Sequence, residues 1–395
     1  MIFCTQMFPS DVDGEALISG MIKNPYNQIM SVSNVLESVD VITTSDEKFH
    51  KKTNDMDVWG IGLAPLKGVF KSTIFEFKIL LQILSICRNK EIDLIHIHHL
   101  NIPLLFLFRF LGFFTSKIVY TAHGTSTPEL NAARQGSKLK HNLLRINGLV
   151  QHFIDRLCWS LADLVIVPSE FQLKEMRTLY NVPDQKLAVV YNGYDEKLYF
   201  RDDGYRKEIR KELCIDDNVK VLLFVGRAAS KKGIVELIKT CDKLRQIRQD
   251  FVLVLVVGYI GRQSEYRDLV SNMAADRSYV YYYESIEEKI LPKYFNAADI
   301  CIFPSVGYES LPTVIFEAAA CEKNIVTQNA WGIPEAIKGH FIQENEIASH
   351  SFDYLLNDLI DYPTVAPVKY ENFQKFSWGA GKHKLLKIYN EVLNK

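Results

Sequence analysis

Residues 219–233 read VKVLLFVGRAASKKG and combine an apolar run, a short loop and the start of a helical pattern. The run up to Val225 is nearly continuous, which indicates a strand buried on both faces, as in parallel sheets covered by helices. After Gly233 an apolar stripe recurs at helical spacing, and we expect that helix to pack on the sheet. The stripe consists of Ile234, Leu237, Ile238, Cys241, Leu244 and Ile247. This order of elements predicts one unit of a parallel α/β sheet.

Short apolar, β-branched runs of the same kind recur along both halves of the chain. In the first half they are MIFCTQMF (1–8), VDVITTS (39–45), IDLIHIHH (92–99), KIVYTAHG (117–124), ADLVIVPS (162–169) and KLAVVYNG (186–193). In the second half they are VKVLLFVGR (219–227), FVLVLVVGY (251–259), YVYYY (279–283), ADICIFPS (298–305) and KNIVTQ (323–328). Alternation of strands with helical patterns, repeated twice, predicts two doubly wound α/β domains. The charged segment Gly193–Leu213 is typical of a linker that leads into a surface helix.

Size and charge narrow the class of protein. The chain has 395 residues, 48% of them hydrophobic, which favours two domains over one. Lys and Arg (46) nearly cancel Asp and Glu (47), so the charge does not indicate a nucleic-acid-binding protein. The seven cysteines form no CxxC pair, which favours reduced thiols and a cytoplasmic setting.

Two stretches bear on membrane insertion. The N-terminal MIFCTQMF lacks a basic region followed by a long apolar run, so we expect no signal peptide. The segment Ile102–Phe114 is shorter than the roughly 20 residues needed to span a bilayer, and Arg109 interrupts it. We expect this segment to be a helix buried against a sheet.

Two cations follow the strand of the opening segment. Arg227 ends the strand, and Lys232 comes five residues later, directly before Gly233 and the helix. Free amides and the dipole at a helix start add to such cations, and together they predict an anion-binding site. Solvated surface charges at a loop are the alternative interpretation.

A second strand is followed by two carboxylates. Glu309 lies in the loop after ADICIFPS, and Glu317 lies on the helix that Pro312 is suited to begin. The amides from Leu311 to Val314 are expected to be unpaired donors at the helix start. Carboxylates accept from sugar hydroxyls while amides and cations hold phosphate, which favours a nucleotide-diphosphate sugar as ligand. A solvated Glu309 and a Glu317 that only interacts with the helix dipole remain the alternative.

Nearly the whole chain resembles the retaining GT-B-fold glycosyltransferases of glycosyltransferase family 4. The resemblance rests on two glutamates separated by seven residues in ESLPTVIFE and on the strand, Gly-Arg and Lys-Gly of VGRAASKKG. Further matching segments, in the family's order, are IDLIHIHH, YTAHG, ADLVIVPS, VVYNGYD, WGIPEAI (331–337) and FSW with LLKIYNEVL near the end. The resemblance implies two Rossmann-like domains that face each other across a cleft. It implies an acceptor-binding domain at 1–198, a nucleotide-sugar-binding domain at 199–375 and a closing helix at 376–395 that packs back on the first domain.

The resemblance also implies roles for single residues. Arg227 and Lys232 would neutralise the donor diphosphate, with Gly20 of the first loop approaching it closely. Glu317 would bind the ribose hydroxyls. The catalytic pair would be Glu309 and His123, and the transferred sugar would be held by Glu309, Ser310, Leu311, Pro312 and Thr313. The family often has a glycine pair in the first loop, where this chain has single glycines at Gly14 and Gly20.

The reaction that the resemblance implies is transfer of a sugar to a glycan or lipid-linked acceptor with retained anomeric configuration, in surface polysaccharide biosynthesis. A front-face mechanism is expected, in which Glu309 orients and stabilises rather than attacks. No metal and no other cofactor is expected. A nucleotide-sugar epimerase and a non-catalytic glycan- or nucleotide-binding partner are the alternatives.

Three metal or cofactor patterns are disfavoured. The triplets Asp11–Asp13 and Asp55–Asp57 resemble the metal-binding motif of another transferase fold but do not follow a buried strand. His96, His98 and His99 lack a completing ligand at a zinc-site spacing. No GxGxxG joins a first strand to a helix, which argues against a nicotinamide cofactor.

The segment Arg134–Trp159 contains five Lys or Arg, one Asp and apolar residues at helical spacing. Such a helix is suited to an anionic membrane surface, and an ordinary amphipathic helix with a solvated basic face is the alternative. The sequence thus predicts a cytoplasmic protein and allows a contact with the cytoplasmic face of the inner membrane.

Overall fold

The computed structural model describes most of the chain. The residues described are 1–5, 8, 20–45, 47–53, 55–62, 70–125, 138–258, 264–336, 340–342, 356–358, 360–361, 370 and 373–395. The chain divides into two compact units. The first contains Met1–Val12, Asn24–Tyr191 and Ala380–Lys395, and the second contains Asp13–Lys23 and Asn192–Gly379.

The first unit is built on an eight-stranded sheet with the order β3-β4-β2-β1-β5-β6-β7-β8. The strands are β1 Ile2–Thr5, β2 Asp40–Ser45, β3 Phe49–Lys52, β4 Asp57–Gly62, β5 Leu94–His98, β6 Lys117–Thr121, β7 Leu164–Val167 and β8 Leu187–Val189. All neighbouring strands are parallel except β3 and β4, which are antiparallel. The expected doubly wound sheet is confirmed, with β3 and β4 added at one edge.

Helices cover both faces of this sheet. They are α2 Phe70–Asn89, α3 Pro103–Phe110, α4 Lys138–Leu161 and α5 Glu170–Thr178, together with α1 Gly20–Ser33 from Asn24 onward and the last helix, Trp378–Leu393, from Ala380 onward. Ile2 and Cys4 of β1 point into a core shared with α2, α3, α4 and α5. Phe3 points into the opposite core with Ile29 of α1 and with Leu385 and Ile388 of the last helix. This alternation is the period of two that a strand buried on both faces requires.

The second unit is built on a six-stranded parallel sheet with the order β11-β10-β9-β12-β13-β14. Its strands are β9 Lys220–Arg227, β10 Phe251–Gly258, β11 Val280–Tyr283, β12 Ile300–Phe303, β13 Asn324–Gln328 and β14 His340–Ile342. Its helices are α6 Asp203–Glu212, α7 Ile234–Arg245, α8 Ser264–Ala275, α9 Leu291–Ala297, α10 Thr313–Ala320 and α11 Ile333–Ala336. The last helix of the chain, α12 Trp378–Leu393, begins in this unit and continues into the first. The predicted return of the closing helix is therefore confirmed.

The helix after β9 packs as its spacing predicts. Five residues of the predicted stripe on α7 are buried, namely Ile234, Leu237, Ile238, Cys241 and Leu244. Ile247 is 70% exposed because α7 ends at Arg245.

The segment Gly193–Leu213 contains the expected surface helix, but one side of that helix is attached to the second unit by buried charges. The segment does contain α6, which Asp202 caps by accepting from the amide of Tyr205 at 3.0 Å. Its Arg210 is buried, however, and donates to Asp299 at 3.3 Å. Asp299 also accepts from Arg206 and from the amide of Val221, near the start of β9, at 2.8 Å each. Buried charges of this kind are stable because they are paired and hydrogen-bonded. These contacts connect α6 to the sheet of the second unit.

The expectation of a helix buried against a sheet at Ile102–Phe114 is wrong in part. Leu105 and Phe106 of α3 are buried, but Leu104 and Leu107 are exposed, and Phe110 is 88% exposed. Apolar residues extend around most of this short helix, so only one side of it can face the sheet.

Candidate functional site

The loops that follow β9 and β12 emerge at the point where the strand order of the second sheet reverses. From β9 the chain continues to β10 on one side, whereas β12 pairs with β9 on the other side. Ligands of open α/β sheets bind beyond the carboxyl ends of the strands at this switch point. Arg227 is the last residue of β9, Lys232 follows that strand, and Glu309 follows β12, so the predicted anion-binding and carboxylate residues share this edge.

The two loops are in close backbone contact. The amides of Val306 and Gly307 donate to the carbonyl of Lys231 at 2.8 and 3.1 Å. Gly233 has φ +70°, and a Cβ added there would lie 2.1 Å from the carbonyl oxygen of Pro304. A side chain at position 233 is therefore excluded twice, by the backbone conformation and by the neighbouring loop. The approach fixes the position of the start of α7 against the loop after β12.

Lys232 and Glu309 form an ion pair between these loops. The Nζ of Lys232 donates to Oε1 of Glu309 at 2.6 Å, and Oγ of Ser305 lies 3.5 Å from the same oxygen. The side chains are 15% and 11% exposed, so solvent screens the pair only in part. The predicted cation and the predicted catalytic carboxylate are thus brought together.

The segment Ser310–Thr313 leads from Glu309 into α10. Pro312 occupies the position just before the helix, one residue earlier than the first-turn position expected of it. The carbonyl of Leu311 accepts from Asn192 Nδ2 at 3.2 Å. The first amides of a helix have no partner inside that helix, so the amides of Thr313 and Val314 are suited to an anion or a polar ligand atom. The predicted sugar contacts of Ser310, Leu311, Pro312 and Thr313 stay predictions.

Glu317, the predicted ribose ligand, is buried on α10 and paired with a residue that sequence reasoning did not single out. Lys23 Nζ donates to Oε1 of Glu317 at 2.6 Å and lies 2.5 Å from Oε1 of Glu288. Burial raises the pKa of Glu317, while the ammonium of Lys23 opposes this rise. The sequence carries no signal for this contact, because Lys23 and Glu317 are 294 positions apart.

Arg227 is the last residue of β9 and pairs in register with Gly258 of β10. Its carbonyl accepts from the amide of Ala229 at 2.8 Å, which turns the chain sharply after the strand. The side chain is partly exposed at the same sheet edge as Lys232. This location is consistent with diphosphate binding, which stays a prediction.

His123 lies in the first unit, just after β6, within a group of four histidines. His98 Nδ1 and His123 Nε2 are 3.0 Å apart, and the rings of His99 and His123 stack with centroids 4.2 Å apart. His96 bridges the hydroxyls of Tyr389 and Thr121 at 2.6 and 2.7 Å.

Burial sets the charge of this histidine group. It lowers the pKa of His96 to about 3 and of His99 to about 4, and it lowers the pKa of His98 and His123 well below the usual range. All four rings are therefore neutral near pH 7. A neutral His123 can exchange a hydrogen bond with a ligand, and its catalytic role stays a prediction.

Gly20 is the first residue of α1, and the loop before it lies outside the described residues. The Asp11–Asp13 triplet lies outside them as well. Asp57 of the other triplet pairs with His50 at 2.9 Å and with Lys90 at 3.5 Å. Among the described residues, no group of three or more His, Cys, Asp or Glu side chains is arranged to hold a metal ion. The diphosphate contact of Gly20 stays a prediction.

Comparison with known proteins identifies the family. A family model described as Glycosyltransferase Family 4 matches residues 38–198, and one described as Glycosyl transferases group 1 matches residues 205–360. The chain belongs to the group 1, family 4 glycosyltransferases. The resemblance seen in the sequence is thus confirmed, and the two matches fall on the two sheets.

One relative and two solved structures match nearly all of this glycosyltransferase. It is 22% identical over 386 residues to an uncharacterized glycosyltransferase of Methanocaldococcus jannaschii, covering 95% of this chain and 92% of the relative. Sucrose-phosphate synthase from Thermosynechococcus elongatus has a similar structure, with TM-score 0.78, 18% identity and coverage of 100% and 99% of the two chains. Anabaena HepE, crystallised with UDP and glucose, has TM-score 0.70, 18% identity and 98% coverage of both chains. These similarities confirm the expected GT-B fold.

Within the part of the chain that the structure describes, no helix of this glycosyltransferase combines the length and the apolar character needed to cross a bilayer.

Proposed function

We propose that the protein moves a sugar from a nucleotide-diphosphate sugar to a glycan or lipid-linked acceptor, with retention of configuration and without a metal. The observation that carries the proposal is the Lys232–Glu309 pair at the switch point of the second sheet, beside Arg227 and the start of α10. The crystallised complex of Anabaena HepE with UDP and glucose supports this class of donor.

The proposed chemistry begins with the departing nucleoside diphosphate, which gains negative charge as the glycosidic bond breaks. Arg227 and Lys232, with the amides at the start of α7, are suited to stabilise that charge in place of a divalent cation. In many enzymes, stabilising the charge that develops in the transition state contributes more to the rate than any other effect. This arrangement supports metal independence.

Glu309 is proposed to orient the transferred sugar rather than to attack it. A nucleophilic carboxylate in a double displacement needs an oxygen aimed at the anomeric carbon. Oε1 of Glu309 accepts a charged hydrogen bond from Lys232, which orients the carboxylate and lowers its nucleophilicity. In the front-face route the acceptor hydroxyl gives its proton to the leaving phosphate oxygen, and no protein nucleophile is required.

The test is an assay of purified protein with a panel of nucleotide sugars in the presence of a chelator. We expect one donor to release its nucleoside diphosphate, and NMR of the product to show the anomeric configuration of the donor. An inverted product would contradict the proposed retention of configuration. Activity that the chelator abolishes and that added metal restores would contradict the proposed metal independence. An epimerised nucleotide sugar would identify an epimerase, and tight binding without turnover a non-catalytic partner.

The acceptor side is proposed to lie at an anionic membrane surface, as in the assembly of a surface polysaccharide on a lipid-linked carrier at the cytoplasmic face. Between Lys138 and Leu161 the sequence has a single acidic residue, Asp155. Asp155 is buried and accepts from Asn101 and Gln151 at 2.6 and 2.9 Å. No acidic side chain of α4 therefore faces outward to oppose its Lys and Arg residues.

The apolar surface beside this basic helix supports the same assignment. Exposed large apolar residues are concentrated on α3, the turn after it and α4: Leu104, Leu107, Phe110, Leu111, Phe113, Leu149, Val150, Phe153, Leu157 and Leu161. Two hydrogen bonds of 2.6 Å connect the two helices. Asn101, just before α3, donates to Asp155 of α4, and Arg109 of α3 donates to Asp163, just after α4. An apolar face rimmed by cations is the pattern of helices that lie in the interface of anionic lipid.

Vesicle flotation tests this contact. We expect the protein to float with vesicles containing phosphatidylglycerol at low salt, and the Phe110→Ser/Phe153→Ser variant to stay in solution. Phe200→Ser, which changes an exposed phenylalanine of the second unit, is the matched control and should float like the wild type. No flotation of the wild type, or a dimer in light scattering that the double variant abolishes, would show that lipid is not the occupant.

A further inference from the structure

Lys23 lies between two carboxylates in the second unit. Its Nζ contacts Oε1 of Glu317 at 2.6 Å and Oε1 of Glu288 at 2.5 Å. The side chains of Lys23 and Glu317 are 6% and 2% exposed, whereas that of Glu288 is 19% exposed. The ring centroid of Tyr199 lies 5.2 Å from the same nitrogen, so the ammonium is enclosed on several sides.

The charges of this group depend on one another. A carboxylate as deeply buried as Glu317 is strongly destabilised in its ionised form unless a partner compensates for lost hydration. Burial alone would also lower the pKa of Lys23, but the attraction of Glu317 and Glu288 raises it well above its usual value. Lys23 is thus charged over the whole physiological range, and it supplies the compensation that Glu317 needs.

We propose that Lys23 is a positioning residue of the donor site, which keeps the Glu317 carboxylate ionised and oriented to accept hydrogen bonds from the ribose hydroxyls of the donor. The inference rests on the proposed function, because it takes Glu317 as the residue that meets the ribose. Lys23 engages Oε1, so the ribose is accepted at Oε2. An ionised acceptor forms hydrogen bonds roughly twice as strong as a neutral one, and a protonated carboxyl would itself have to donate.

A purely structural ion pair is the competing explanation. Buried pairs of this kind can often be replaced by apolar residues without loss of stability, so stability alone does not distinguish the two roles. Dependence of donor affinity on pH does distinguish them. Without Lys23, burial raises the pKa of Glu317 with no ammonium to oppose the rise, so the carboxylate should take up a proton at a higher pH than it does in the wild type.

The experiment measures binding of UDP, GDP, ADP and dTDP by calorimetry between pH 6.5 and 9, first to the wild type and then to Lys23→Met. Methionine keeps the length of the aliphatic chain and removes the charge. For the nucleotide that binds, we expect the ratio of variant to wild-type Kd to be about 10 or more at pH 6.5, since affinity falls about tenfold for each unit by which the pKa exceeds the pH. The ratio should fall to within about threefold at pH 9 as Glu317 ionises again. Titration of the nucleotide itself cancels in this ratio.

Three further variants separate a local charge effect from damage to the fold. In Lys23→Met/Glu317→Gln the buried side chain at position 317 is a neutral amide, which needs no counter-ion. The Kd of the nucleotide for this double variant should therefore match its Kd for Glu317→Gln alone within about threefold and show no added dependence on pH. Lys90→Met is the matched control, because Lys90 also bridges two carboxylates, Asp40 and Asp57, but does so in the first unit. It should leave the Kd unchanged at every pH.

The outcomes are distinct. A ratio for Lys23→Met that is the same at pH 6.5 and pH 9, or an equal loss when Lys23→Met is added to Glu317→Gln, overturns the positioning role and leaves the proposed function in place. Failure of the wild type to bind any of the four nucleotides overturns the proposed function and this inference with it.

Discussion

The Nζ of Lys232 lies 2.6 Å from Oε1 of Glu309, although 77 positions separate the two residues in the chain. We expect Glu309→Gln to keep the shape and one acceptor oxygen while it loses the charge that pairs with Lys232. Because Glu309 is assigned to orient and stabilise the sugar in the transition state, kcat should fall by about 100-fold or more. The Kd of the donor should stay within about threefold of the wild type. Steady-state release of the nucleoside diphosphate and calorimetry measure the two quantities.

The matched control for this substitution is Glu265→Gln, which removes an exposed carboxylate from α8. It should leave both kcat and the donor Kd unchanged. Transfer at the wild-type rate by a Glu309→Ala protein would show that Glu309 has no part in the reaction.

Arg227→Met should weaken binding of the nucleoside diphosphate by about tenfold or more, because it removes a charge assigned to the diphosphate. The nucleoside without phosphates should bind the variant and the wild type equally. Lys239→Met, at an exposed position of α7, is the control for loss of one positive charge. Equal weakening of the nucleoside and the diphosphate would place Arg227 away from the phosphates.

Gly233→Ala should destabilise the second unit by at least about 2 kcal/mol, since a Cβ there meets both a positive φ and the carbonyl of Pro304. Gly112→Ala is a matched control, because Gly112 has φ +80° and no atom within 4 Å of the added Cβ. It should cost only about 1 kcal/mol from the backbone conformation. Urea unfolding of both variants measures the difference. Equal losses would mean that the loop after β12 moves aside without penalty.

The buried histidines should make stability depend on pH. Burial lowers their folded-state pKa values below the unfolded value of 6.5, so above pH 6.5 they are neutral in both states and stability is complete. As the pH falls below 6.5, the unfolded chain binds protons that the folded chain does not. The free energy of unfolding should then fall by about 1.4 kcal/mol per pH unit for each histidine, down to a pH of about 4 where His99 titrates.

Urea unfolding between pH 8 and pH 5 tests this dependence. His99→Gln should reduce the slope of the free energy of unfolding against pH by the contribution of one histidine. At pH 8, the difference in free energy of unfolding between this variant and the wild type measures the effect on packing alone. An unchanged slope in this variant would show that His99 is protonated in the folded protein.

Much of the fold could be predicted from the sequence because the inner strands are apolar on both faces. Each of the eleven predicted runs contains a strand of the structure. Among the strands that the structure describes, those that were missed are β3, β4 and β14. Phe49–Lys52 of β3 is exposed and charged at the sheet edge, and Asp57–Gly62 of β4 contains two glycines, so neither shows the pattern of a buried strand.

The site was predictable only as far as local sequence determines it. Arg227, Lys232 and Glu309 could be placed at one sheet edge, because residues that follow parallel strands meet there. The pairing of Glu317 with Lys23 could not, since it joins distant parts of the chain and leaves no periodic signal. The exposed side of α3 could not be predicted either. The apolar composition of this helix predicts burial, but composition does not reveal which side of a helix has a neighbour.

The chain passes between the two units four times, and α12 carries Leu385, Ile388 and Tyr389 into the core around Phe3. During synthesis the first unit therefore lacks part of its interior until α12 has left the ribosome. The second unit, which ends at Gly379, has its complete sequence available earlier. We expect ribosome-bound chains that stop just before α12 to expose the Phe3 side of the first sheet, and so to be captured by chaperones that bind apolar surface.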